Sequence, residues 1–173
     1  MIATIDAALL DAMAGLRGPV LDVFFSLVTW AGSLWLLAPA ALLFVAAAGV
    51  NWRARILPVL ALAGASLTCH ALKIATDRPR PDAHPLVQAL PADASFPSAH
   101  SAQAAAFFTA LWLLLPPEAR RRWALPLVAL VAIVGVSRLY LQVHWPSDVI
   151  VGAVLGVAVA FAANYLGRLR ETA

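Results

Sequence analysis

The sequence predicts an all-α integral membrane bundle of five transmembrane helices, or six if the segment from Pro19 also crosses, preceded by N-terminal interfacial helices. Three observations predict it. Of 173 residues, 62% are hydrophobic and only 12% charged, and the mean hydropathy is +0.85. A soluble chain of this length has too little interior to hide so much apolar surface, so lipid must cover the rest. Finally, the apolar residues are gathered into runs close to membrane length, separated by short polar turns and one long loop.

In chain order, Thr4 to Gly15 and Pro19 to Ala31 carry Asp6, Asp11 and Asp22. They read as interfacial or re-entrant helices broken at Gly18 and Gly32. The first 18 residues hold two acids and one arginine, with no basic stretch leading into a greasy one, so no cleavable signal peptide is expected. Five apolar runs follow: Ser33 to Val50, Ile56 to Thr76, Ser101 to Leu115, Trp123 to Tyr140 and Val149 to Leu166. At 1.5 Å per residue most can cross a hydrocarbon layer of about 30 Å. The third reaches only about 20 Å, so its first turn is predicted to start below the lipid surface. That turn holds His100. The long loop runs from Arg78 to Phe96, and the chain reads as one membrane-embedded domain, 1–173, with its chemistry in 73–148. Cys69, alone in an apolar run, reads as a small core residue and His70 as a packed helix residue; His84 reads as a loop residue.

Charge orients the bundle. Five crossings place Arg53, Arg55, Arg120, Arg121, Arg122, Arg168 and Arg170 at one end. The other end receives Arg17, Lys73, Arg78, Arg80 and Arg138 with seven of the nine acids. By the positive-inside rule the first end is cytoplasmic and the second extracytoplasmic. Trp52 and Trp123 near one boundary, and Trp30, Trp35 and Trp145 near the other, fit aromatic belts. Basic tracts interleaved with aromatics are missing, which argues against nucleic acid as a partner.

Three clusters share the outer end: Lys73 with Arg80-Pro81, then Pro97-Ser98-Ala99-His100, then Ser137-Arg138 with His144 and Asp148. Lys73 and Arg138 each lie within about a turn of a helix end, where interfacial anchoring competes with a binding role. Arg78 and Arg80, beside prolines, equally fit a solvated loop. Together the cations suit a multiply charged anion such as phosphate, arginine supplying forked donors and lysine a point charge. Ser98 is placed to cap a helix beginning at about Ala99, whose free N–H groups form a further anion site. His144 and Asp148 flank Pro146, which is tolerated in a first helical turn. A carboxylate there fixes the imidazole tautomer and leaves the other ring nitrogen free to attack. The remaining His and acidic residues offer no convincing set of metal ligands.

These residues resemble the three-part signature of the type-2 phosphatidic acid phosphatase superfamily: Lys73, six residues, Arg80-Pro81; Pro97-Ser98-Ala99-His100; Ser137-Arg138, five residues, His144, three residues, Asp148. The first and third parts match at every fixed position. The second has Ala99 where glycine is usual, which adds a methyl group where phosphate approaches the backbone. The resemblance implies a membrane lipid phosphatase needing neither metal nor cofactor. In it His144 is the nucleophile, Asp148 orients its ring, and His100 protonates the leaving oxygen. Lys73, Arg80, Ser98, Ala99 and Arg138 hold the phosphoryl group.

The run Ala92 to Ser98 also resembles the one preceding the catalytic histidine of bacterial undecaprenyl-diphosphate phosphatases. It makes undecaprenyl diphosphate the leading expected substrate, with phosphatidic acid, phosphatidylglycerol phosphate, other polyprenyl phosphates and lipid A phosphates as alternatives. The resemblance further implies the bacterial cytoplasmic membrane with the site facing outward. Two readings of other classes compete: a small transporter or structural membrane protein, and an oxidoreductase holding vanadate in the same cradle.

Overall fold

A computed structural model describes residues 2–46, 51–87 and 90–169. Seven α-helices account for most of them: α1 (Ile2–Ala14), α2 (Pro19–Val28), α3 (Leu34–Ala46), α4 (Trp52–Thr76), α5 (Ala99–Leu114), α6 (Pro117–Tyr140) and α7 (Pro146–Leu169). A 3₁₀ turn, Thr29–Gly32, joins α2 to α3.

Local chemistry sets the boundaries. Gly18 precedes α2 in extended conformation and Pro19 opens it, where a missing N–H costs nothing. Asn51 caps α4 by accepting from the Ala54 amide at 2.8 Å. The same helix ends at Asp77, whose left-handed backbone (φ 42°) turns its N–H onto the Lys73 carbonyl at 3.0 Å. α6 begins at Pro117, six residues before the expected start at Trp123. Pro117 at its first position and Glu118 in its first turn favour helix, so Arg120, Arg121 and Arg122 ride on the helix rather than in a turn.

α4, α6 and α7 hold stretches long and apolar enough to cross a membrane, namely Ala54–Thr76, Pro117–Tyr140 and Pro146–Leu169. A fourth crossing exists if Pro19–Gly32 and Leu34–Ala46, bent by 41°, act as one span. The expected run Ser33 to Val50 is therefore a helix from Leu34 that joins its predecessor at a bend, and residues 47–50 lie outside the described residues. α5 is shorter than a span, at about 24 Å.

α5 is the axis of the bundle. It packs most extensively on α7, then on α4 and α6, and residues 101–107 are buried without interruption. Its inner residues are mostly alanines, which let the neighbouring backbones close in. α7 answers with Gly152, Gly156, Ala160 and Asn164, four apart on the buried face, while Ile150, Val154, Phe161 and Tyr165 point outward and are exposed. Small residues inside and large apolar ones outside invert the soluble pattern and suit a lipid surround. Trp30, Trp35, Trp52 and Trp123 are exposed as well.

Cys69 is buried in the α4–α5–α7 core as expected. His70, expected to be packed, is exposed instead: one position on from Cys69 the helix has turned about 100° outward.

Candidate functional site

Three segments meet at one end of the bundle: the end of α4 with its following loop, the start of α5, and the loop 141–145 between α6 and α7. The loop after Asp77 folds back over the helix ends. The Ser95 amide donates to the Arg78 carbonyl at 2.8 Å and the Ser98 amide to the Asp148 carbonyl at 3.0 Å. That second bond ties the start of α5 to the first turn of α7.

Lys73 is buried rather than snorkelling. Its ammonium donates to the Ala94 carbonyl and pairs with Asp93 at 3.2 Å. The Arg80 guanidinium is held on three sides, donating to the Asp93 carbonyl (2.9 Å), the Asp93 carboxylate (2.6 Å) and the Val143 carbonyl (2.6 Å). Its Nη1 also lies 3.3 Å from Nε2 of His144. Arg138 is 2% exposed and donates to the Thr29 hydroxyl at 2.5 Å, while its buried Nε has no hydrogen-bond partner. It is within coulombic reach of Arg80 and Asp93. His100, at the mouth of α5, lies within coulombic reach of Arg138, His144, Arg80 and Lys73. All the cations expected to bind phosphate thus converge with both histidines.

Around this space Lys73, Arg80 and Arg138 face Asp93 and, behind His144, Asp148, whose neighbour Arg78 is paired with Asp6, so the cations exceed the carboxylates by one. Partial burial raises the Asp93 carboxyl, but the Arg80 hydrogen bond and the Lys73 charge outweigh it and hold it below the usual range. Uncompensated cations in a partly desolvated place favour an anion as guest. Among the described residues no group of three or more His, Cys, Asp or Glu side chains is arranged to hold a metal ion.

His144 is buried, with Nδ1 3.6 Å from the Asp148 carboxylate, beyond a hydrogen bond but within ion-pair reach. Arginine has no acceptor, so the Nε2 contact with Arg80 makes Nε2 the accepting nitrogen. The ring proton then sits on Nδ1, toward Asp148, and the Nε2 lone pair faces the cations. Asp148 is fully buried and accepts from the Ser95 hydroxyl, the Trp145 amide (3.0 Å) and Arg78 (2.5 Å).

Burial lowers the His144 pKa, Asp148 pulls it back up, and Arg138, Arg80 and Lys73 push it down again, to about 4. The ring is therefore neutral above that value and loses its lone pair only as pH falls through it. Nitrogen NMR of the ring in detergent should give a midpoint near 4, and Asp148→Asn should lower it further. A midpoint at the ordinary value of about 6.5 would contradict this electrostatic picture.

Ser98 stands at the cap of α5, yet its side chain makes no capping bond and instead accepts from the Ser101 hydroxyl at 3.1 Å. The first amides of α5, from Ala99 and His100 onward, have no partner within the helix. Gly32, expected only as a break, has a packing reason too. A Cβ there would stand 2.8 Å from the His100 carbonyl oxygen and 3.1 Å from the His100 Cβ.

Four participants escape sequence reasoning, Thr29, Asp93, Ser95 and Asp6; Arg78, weighed there as a loop cation, reaches Asp148 from outside together with Asp6. Each is a common polar residue in a loop or a short helix, and only the folded chain brings it to the site.

The sequence profile described as "PAP2 superfamily" matches residues 54–171. A decaprenylphosphoryl-5-phosphoribose phosphatase of Mycobacterium tuberculosis (strain CDC 1551 / Oshkosh) is 41% identical over 100 residues, 56% of this chain and 51% of that protein. The phosphatidylglycerophosphatase B of Bacillus subtilis (strain 168) is 30% identical over 166 residues, covering 90% and 80% of the two chains. An undecaprenyl-diphosphatase of Sulfolobus acidocaldarius (strain ATCC 33909 / DSM 639 / JCM 8929 / NBRC 15157 / NCIMB 11770) is 37% identical over 76 residues, 44% of this chain and 35% of that one. Among solved structures, the fold is similar to the transmembrane PAP2 type phosphatidylglycerolphosphate phosphatase from Bacillus subtilis. The TM-score is 0.87 at 27% identity, over 96% of this chain and 86% of that one. The chain spans about half the length of the first of these curated relatives.

Proposed function

Because the chain belongs to the PAP2 superfamily, we propose that it is a membrane lipid phosphatase working without a metal through a phosphohistidine. One observation carries the reading: the largely buried side chains of Lys73, Arg80 and Arg138 outnumber the carboxylate between them, beside the His144 imidazole, whose Nε2 lies 3.3 Å from Arg80. In the first step Nε2 of His144 attacks phosphorus, forming the N–P bond as the P–O bond to the leaving group breaks. His100, which takes up a proton when the negative charge of the bound phosphate joins the surrounding cations, gives that oxygen its proton. In the second step His100 takes a proton from water, whose oxygen attacks phosphorus, breaks the N–P bond and releases inorganic phosphate. Lys73, Arg80, Arg138, the Ser98 hydroxyl and the amides of Ala99 and His100 hold the phosphoryl oxygens and stabilise their transition-state charge. Asp148 orients His144 and offsets the positive charge it gains.

A lipid substrate fits the setting. An apolar groove of about 570 Å³ runs between α5, α6 and α7, from Ser101 and Gly135 at the site end to Trp112 and Phe161. Ser101 bonds to Ser98, so a tail lying there would bring its phosphate to the mouth of α5. Undecaprenyl diphosphate is the leading substrate, supported by the run Ala92 to Ser98; phosphatidylglycerol phosphate and phosphatidic acid are the next choices. With α5 and the bent pair counted as crossings there are five, and the positive-inside rule then turns the site to the outer face of the bacterial cytoplasmic membrane.

Phosphate release from a panel of these lipids, measured in EDTA, tests the proposal. Release that survives EDTA and is blocked by vanadate is expected. Strict dependence on magnesium would remove the mechanism, and no release from any lipid would favour a transport or structural role.

Asp93 supplies a second check. Its carboxylate spans Lys73 and Arg80 where phosphoryl oxygens would bind, so an incoming anion competes with it. Asp93→Asn should therefore tighten inhibition by vanadate, by about threefold to tenfold. Weaker inhibition would mean that Asp93 serves chiefly to hold the two cations in place.

A further inference from the structure

α1 is more than a surface helix. Of residues 2–12 only Asp6 and Leu10, one turn apart, are buried. A buried carboxylate requires partners, and Asp6 has them. Its Oδ1 accepts from the Ser147 amide at 2.9 Å; its Oδ2 accepts from the Ser147 hydroxyl at 2.6 Å and from Nη2 of Arg78 at 2.9 Å. The other terminal nitrogen of Arg78 donates to Oδ1 of Asp148 at 2.5 Å and to the Ser147 hydroxyl at 2.8 Å. Arg78 also lies over the Trp145 ring, 5.6 Å from its centroid. A charge chain results, Asp6–Arg78–Asp148–His144, running from the N-terminal helix to the imidazole.

The rest of α1 is fastened to the same loops. The Leu10 carbonyl accepts from the Gln142 amide side chain at 3.0 Å, two residues before His144. Asp11 pairs with His84 at 2.7 Å.

The order of charges has a consequence. Arg78 alone against Asp148 would cancel the carboxylate that His144 needs when it becomes positively charged. Asp6, on the far side of the guanidinium, balances Arg78 and leaves Asp148 its charge. Arg78 meanwhile fixes Oδ1, so that Oδ2 is the oxygen turned to His144.

We propose that Asp6, acting through Arg78, is a positioning residue for the reaction at His144, so that the N-terminal helix is a working part of the active site. The inference rests on His144 being the nucleophile and Asp148 its partner.

The test uses the full-length protein in detergent with whichever lipid phosphate it hydrolyses best. Asp6→Asn should lower kcat about tenfold and leave KM unchanged, because the phosphate cradle is untouched. The double variant Asp6→Asn with Arg78→Gln removes the unbalanced cation as well, and its kcat should rise above that of the single variant, the remaining deficit of about fivefold being the lost hold on Oδ1. A purely structural role predicts the reverse order, with the double variant no better than the single. Wild-type kcat in Asp6→Asn, a rise in KM alone, or a double variant worse than the single overturns the proposal. If Asp6→Asn yields no folded protein, Arg78→Lys reads the same device, keeping the charge while losing one arm of the fork. A fall in kcat of about fivefold at constant KM supports the proposal, and wild-type kcat overturns it. His144→Ala is assayed alongside. An inactive His144→Ala beside an unaffected Asp6→Asn removes only the role of Asp6, whereas an active His144→Ala removes the nucleophile assignment itself.

Discussion

His144→Ala is expected to lower phosphate release by about four orders of magnitude, and to remove any acid-labile phosphoprotein trapped by rapid quenching. The size of the effect follows from the site. His144 Nε2 faces the cations, and the substituted protein would keep Lys73, Arg80 and Arg138 and so still bind the anion. Binding should persist as turnover is lost, visible as near-normal protection by vanadate against thermal unfolding. His100→Ala should differ in kind. In the proposed role of proton donor it is worth about 10²- to 10⁴-fold where a lipid alcohol leaves, as from phosphatidic acid, and much less for a nitrophenyl phosphate, whose leaving group needs no proton; the phosphate that leaves undecaprenyl diphosphate lies nearer the second case. If both variants lost activity equally on both substrates, the division of labour between the two rings would be wrong. If His144→Ala kept wild-type turnover, the covalent mechanism would be.

The candidate cluster was legible because its residue types are expensive in an apolar chain. Lys73, Arg138, His100 and His144 stand at the ends of greasy helices, and their spacing carries the family signature. The helices were legible from hydropathy, but their lengths were not. α6 starts at Pro117 because local helix signals outweigh the polarity of three arginines, and α5 stops short of a span. The buried acids were opaque for a physical reason. Asp6 and Asp93 look like surface charges in sequence, and only long-range neighbours, Arg78 and Ser147 for one and Lys73 and Arg80 for the other, turn them into parts of the site. His70 shows the opposite error: an apolar surround in sequence does not reveal which face of a helix a residue takes.

Gly156→Ala is expected to destabilise the protein by about 3 kcal/mol or more, beyond the usual effect of one added methyl group. A Cβ at that position would lie 2.2 Å from the Ala102 carbonyl oxygen, 2.9 Å from the Ala105 Cβ and 2.9 Å from the Ala106 amide nitrogen. Two of these are backbone atoms of α5, so no rotamer change can relieve them, and α7 must move away as a whole. Gly152 makes the same approach one turn nearer the site, where a Cβ would lie 2.5 Å from the Ser98 carbonyl oxygen. The Ser98 amide bonds to the Asp148 carbonyl, so a shift there changes the spacing between the mouth of α5 and the His144–Asp148 pair. The two substitutions should therefore separate. Gly156→Ala should chiefly lower the melting temperature in detergent, while Gly152→Ala should lower kcat by more than its melting temperature implies. Equal melting temperatures for Gly156→Ala and wild type would show that α5 and α7 are not as closely apposed as their glycine and alanine faces require. The close packing that holds the bundle together would then no longer account for the position of the Asp148 carboxylate.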